Sequence, residues 1–111
     1  MNLNEYQEKA ITTAVYPKHQ ALAYLALGLA GEAAEVSNKV KKIIRGDYDN
    51  DPMAAEEALD AIALELGDVL WYVAVLSKEL DTPLAAVAGS NIDKLAARAA
   101  SDKIKGSGDD R

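Results

Sequence analysis

Residues 51–80 read DPMAAEEALDAIALELGDVLWYVAVLSKEL, and the fold class follows from how this stretch repeats. Asp51-Pro52 supplies an N-cap followed by an N1 proline, and apolar residues then recur with helical period as far as Leu80. Set about 100° apart around an axis, Leu59, Ile62, Leu66, Val69, Val73, Leu76 and Leu80 make one stripe, and Leu64, Trp71 and Val75 make a second. Glu65, Asp68 and Tyr72 fall in the gap between them. A helix apolar on two flanks is expected to be buried on both, which would put Glu65 and Asp68 in a cleft. Trp71 points away from the acids and reads as core or subunit contact.

The chain on either side of this helix also reads as helix. Alternating β-branched runs and Asn-Gly or Asp-Gly turns do not occur, whereas Ala, Leu, Glu and Lys dominate. A first helix is predicted from an N-cap at Asn2 or Asn4 to about Val15, where Tyr16-Pro17 interrupts it. A second begins between Lys18 and Ala21 and continues to Arg45, with Gly46 as its C-terminal cap and Lys41, Lys42 and Arg45 at the negative end of the dipole. Thr82-Pro83 repeats the start signal and opens a fourth helix ending at about Arg98 or Ala100. The expected architecture is therefore all-α. It has a four-helix core, in residues 1–100, whose two central antiparallel helices carry the acids, and a loose tail over 101–111.

Composition narrows the chemistry. In 111 residues, 50% hydrophobic and 27% charged, there is room for one soluble domain. Twelve Lys and Arg against eighteen Asp and Glu give a net charge of -6, which repels nucleic acid. With no cysteine and one histidine, any metal must be held by oxygen. His19, alone beside Pro17, reads as a surface or capping residue. The start MNLNEYQEKA lacks the basic and apolar regions of an export signal, and no apolar run reaches spanning length. The expected location is cytoplasmic, with no membrane partner.

On the second helix Leu22, Leu25, Leu29, Val36, Val40 and Ile43 form the apolar stripe. Glu32 lies at its edge. Glu35 lies further round, in a sector shared with Ala21, Gly28 and Gly31, where small residues admit another backbone or a ligand. Each helix thus carries one acidic i,i+3 pair, Glu32/Glu35 and Glu65/Asp68, with both members of a pair on one face. Such a pair on a single helix is commonly a solvated face. Two pairs bordering apolar stripes on facing helices would instead crowd four carboxylates together, which calls for proton uptake or a cation. Magnesium takes oxygen ligands and commonly bridges carboxylates to phosphates, and manganese can substitute for it.

The runs LGLAGEAAE (27–35), ELGDVLWY (65–72) and NIDKL (91–95) resemble the MazG-type all-α nucleoside triphosphate pyrophosphohydrolases. The resemblance covers the chain except its tail and rests on the order ExxE, linker, ExxD, flanked by glycines and a tryptophan. It implies that Glu32, Glu35, Glu65 and Asp68 hold magnesium and carry catalysis. Tyr72 would lie near the nucleotide, and Asn91 and Lys94 would approach the substrate. Arg98, one turn beyond Lys94, and Lys39, one turn after Glu35, are further candidates for phosphate contact, although for Lys39 a pairing with Glu35 is the more common arrangement. The implied reaction releases pyrophosphate and a nucleoside monophosphate, a housecleaning of the nucleotide pool. Glu35, off the apolar edge of its helix and nearer solvent, is favoured as the base on that position. A homodimer or homotetramer with sites completed between subunits is also implied. Two alternatives remain open at this point: a non-enzymatic helical interaction module with an idle acidic face, and a di-iron bundle, for which the chain lacks the Glu-x-x-His pairs.

Overall fold

The computed structural model describes residues 1–109. They form four α-helices, α1 (Leu3–Ile11), α2 (Ala21–Ile44), α3 (Pro52–Glu79) and α4 (Leu84–Ala100), with a single 3-10 turn, Lys18–Gln20, leading into α2 and no strand among the described residues. The all-α, four-helix expectation holds.

Local signals set most of the ends. Asn2 Oδ1 accepts from Glu5 N at 2.8 Å while the Glu5 carboxylate reaches back to Asn2 N, a capping box. Asp51 Oδ1 accepts from Ala54 N at 3.0 Å, with Pro52 opening α3. Gly46 adopts φ +90° after α2, and Asp47 N and Gly46 N donate back to Lys42 O and Ile43 O, closing a Schellman motif. α3 ends the same way, with Asp81 in the left-handed position (φ +51°) and Thr82 N bonded to Ser77 O.

Two ends differ from the sequence reading. α1 stops at Ile11 and not near Val15, because the Thr12 and Thr13 hydroxyls donate to the terminal carbonyls of Lys9 and Ala10. Thr82 does not cap α4, since its hydroxyl donates to Leu80 O. The cap comes from α1: Gln7 Oε1 accepts from Leu84 N at 3.0 Å and Asn4 Oδ1 accepts from Ala85 N at 2.9 Å. The Gln7 amide nitrogen also donates to Ala74 O and Thr82 O, so one buried side chain ties α1, α3 and α4 together.

α2 and α3 pack antiparallel: Leu25 meets Ala74 and Val75, Gly28 meets Tyr72, Glu32 meets Asp68, and Lys39 meets Glu65. Partners climb one helix as they descend the other. The core, Ala10, Leu25, Ala74, Val75 and Leu84, gathers where α1 and the start of α4 cover the hairpin. Beyond it the hairpin is bare, and no residue from 26 to 73 is buried. The radius of gyration is 17.2 Å, against about 13 Å for a compact chain of this length. The expectation that α3 is buried on both flanks is therefore corrected: Leu59, Leu64 and Leu66 are exposed, because α1 reaches only the C-terminal half of α3.

Candidate metal centre

Where the covered end of the hairpin gives way to the bare end, Glu32 of α2 and Glu65 and Asp68 of α3 each direct a carboxylate oxygen to one spot. The three atoms lie within 4.8 Å of one another. Glu32 and Glu65 are half-buried, whereas Asp68 is exposed, so the group sits on an open shoulder and not in the cleft expected from the helix wheel. Glu35, exposed and one turn further along α2, stays outside the group, although its charge is felt at Glu32.

Like charges this close disfavour full ionisation. Burial, the charges of Asp68 and Glu65, a carboxyl–carboxyl hydrogen bond with Glu65 and the charge of Glu35 raise the Glu32 carboxyl above its ordinary value. Lys39 Nζ lies 3.5 Å from Glu65 Oε1. That pairing crosses the hairpin and replaces the Glu35 partner suggested by helix spacing. The donors are all carboxylate oxygens, and the one histidine, His19, is on the 3-10 turn ahead of α2. Crowded, oxygen-only and partly desolvated, the group fits a hard divalent cation.

Tyrosines border the acids. Gly28 is needed for the placement of Tyr72: a Cβ there would come within 2.8 Å of Tyr72 Cδ1 and closer still to Cε1 and Cζ. Gly31, of the same small-residue sector, has nothing within 4 Å of an added Cβ. Desolvation, then Tyr24, Glu32 and Asp68, raise the Tyr72 phenol, and desolvation followed by Asp68 raises that of Tyr6. Both stay protonated at neutral pH and can donate hydrogen bonds. Tyr6 is absent from the sequence reading, since only the docking of α1 on the hairpin brings it near Asp68. Trp71 packs edge-on against Tyr72 at 4.9 Å, and its Nε1 donates to Thr13 Oγ1, so it serves the core.

The α4 candidates are not brought to the acids within one chain. No Cα of α4 lies within 8 Å of α2. Asn91 is exposed. Lys94 Nζ and Arg98 Nη2 lie 2.8 and 3.1 Å from Asp109 Oδ1, in the segment that follows α4. The rest of the tail, residues 110–111, lies outside the described residues.

Comparison with known proteins adds an independent observation. The MazG nucleotide pyrophosphohydrolase domain matches residues 20–101, which run from the last residue of the 3-10 turn through α2, α3 and α4. The Gene 37 protein of Mycobacterium phage L5 is 44% identical over 117 aligned positions that cover the whole of both chains. No solved structure matches.

Proposed function

Because the chain belongs to the MazG nucleotide pyrophosphohydrolase family, we propose that it hydrolyses a nucleoside or deoxynucleoside triphosphate to the monophosphate and pyrophosphate. The observation that carries the reading is the meeting of Glu32, Glu65 and Asp68 from two helices at one spot. These three would hold Mg2+, with Mn2+ as substitute, and Glu35 would complete the set of four acids from the next turn. The ion, when bound, supplies neutralisation of the phosphate oxygens and activation of water.

The chain's own groups supply the rest. Water attacks the α-phosphorus, the bond to the α–β bridging oxygen breaks, and pyrophosphate leaves. Glu35, exposed and one turn beyond Glu32, accepts the water's proton. Tyr72, with its proton retained, donates a hydrogen bond to the nucleotide. Lys39, paired with Glu65 in the free chain, would turn to a phosphate oxygen of the bound substrate. Asn91, Lys94 and Arg98 contact the substrate from α4, which requires α4 of a partner subunit or a closure of the chain's own α4. The bare half of the hairpin supports assembly as a homodimer or homotetramer. Residues 1–100 form the catalytic unit and 101–111 the tail, acting in the cytoplasm on the nucleotide pool. With a net charge of -6, the chain does not use nucleic acid as a partner.

The test is to supply purified protein and Mg2+ with a panel of canonical and modified triphosphates and assay the released anion. Pyrophosphate is expected; orthophosphate alone would contradict the cleavage position. The exposed apolar half favours a second reading, a helical interaction module whose acids are idle. Thermal melts separate the two, because Mg2+ and nucleotide raise the midpoint only if they bind the folded chain.

A further inference from the structure

Lys94 and Arg98 stand one turn apart on α4 and reach the same atom, Asp109 Oδ1. Arg98 Nη2 donates in addition to Gly108 O at 3.1 Å. Arg98 is only 6% exposed, and its Nε, also buried, has no hydrogen-bond partner among the described residues. A buried guanidinium with a donor left over is an unfavourable arrangement, since the group is shaped to give two parallel N–H···O bonds to one oxyanion. Asp109 leaves that donor unused. Its side chain is 79% exposed and shares a single oxygen between two cations, so it is a weak occupant. A phosphate group presents three oxygens and could engage Nε, Nη2 and Lys94 Nζ together. Lys94 and Arg98 hold the Asp109 carboxyl below its ordinary range, which keeps this occupant charged at neutral pH.

We propose that Asp109 is the resident anion of the substrate-contacting pair Lys94 and Arg98 in the free chain, so that the C-terminal segment regulates this site by competing with the phosphates of a nucleotide or of pyrophosphate. The inference rests on the pyrophosphohydrolase reading for its biological ligand. Phosphate must displace the segment to bind, which makes residues 106–109 an internal competitor with a fixed local concentration.

The experiment titrates the full-length chain with inorganic pyrophosphate by calorimetry in the absence of divalent cations, comparing wild type, Asp109→Asn, Lys94→Gln and the double variant. Asp109→Asn is expected to bind pyrophosphate roughly two- to fivefold more tightly, the size of an exposed ion pair removed as competitor. Lys94→Gln is expected to bind more weakly than wild type. Equal affinity in wild type and Asp109→Asn would overturn the proposal, as would a gain that persists undiminished in the double variant. Binding needs no turnover, so the two readings fail separately. A chain inert on every triphosphate that still shows the Asp109→Asn gain keeps the phosphate site and loses the reaction, and an active chain with unchanged affinities does the reverse.

Discussion

At one end of the α2–α3 hairpin Leu25, Ala74 and Val75 are sealed beneath α1 and Leu84, while at the other Leu59, Leu64 and Leu66 of the same α3 face outward. The periodicity of α3 does not change along its length. What changes is the cover, because α1 is nine residues long and reaches only the C-terminal half. An apolar stripe records a demand for burial, and whether one chain meets it depends on what else that chain brings. The acids stand at the boundary between the two conditions, half in each.

The largest effect is expected at that boundary. Asp68→Asn should lower turnover by on the order of 10²–10³, the scale for removing one preorganised charge from a reacting centre, with helical content by circular dichroism unchanged. Wild-type turnover in that variant would detach the carboxylates from the chemistry.

Next come the two ends themselves. Leu25→Ala should cost about 2–5 kcal/mol in denaturant unfolding, since a fully buried side chain leaves a cavity. Leu64→Ala, at a position 74% exposed, should change the unfolding of the isolated chain by no more than about 0.5 kcal/mol. If the proposed homo-oligomer forms through this face, the substitution should instead shift sedimentation towards smaller species. A large unfolding cost at Leu64 with no change in sedimentation would erase the distinction between the ends.

The two glycines of α2 sharpen it further. Gly28→Ala forces Tyr72 aside and should destabilise by about 1–3 kcal/mol through overpacking. Gly31→Ala meets nothing within the chain and should stabilise by up to about 1 kcal/mol through helix propensity. A loss at Gly31 that grows with protein concentration would mean that a second copy approaches there.

The smallest effect is in pH. The Glu32 carboxyl is raised, so its contribution to stability is present in full below its unfolded value and is lost as pH rises through the folded one. Without divalent cations, the melting midpoint should therefore climb as pH is lowered from neutral towards the carboxylate range, and Mg2+ should flatten that slope. The Asp47 and Asp109 carboxyls, lowered by Arg45 and by Lys94 with Arg98, act oppositely: their contribution is lost only as pH falls through values below the ordinary 3.8. A midpoint that falls on mild acidification without metal would refute the crowding at Glu32.

Much of the fold was legible because its signals are short. The Asn2 box, the Asp51-Pro52 start and the Gly46 stop each operate within about five residues, so neighbouring letters suffice. The cap of α4 was not, since Asn4 and Gln7 lie more than seventy positions upstream of the amides they accept from. The same divide runs through the candidate site. Spacing put Glu32, Glu65 and Asp68 on facing helices, but which acids meet depends on how the hairpin is rotated, and that rotation turns Glu35 outward and takes Lys39 across to Glu65. The Asp109 contact with α4 left no mark in any periodic pattern.

Gln7 has a consequence for motion. Its amide is spent on Ala74, Thr82 and Leu84 at once, so fraying of the N-terminal helix strips the start of α4 of its acceptor in the same event. Amide protons of Leu84 and Ala85 should then exchange with solvent on the clock of α1 detachment, and the first dozen residues become the latch that sets how long α4 keeps its heading.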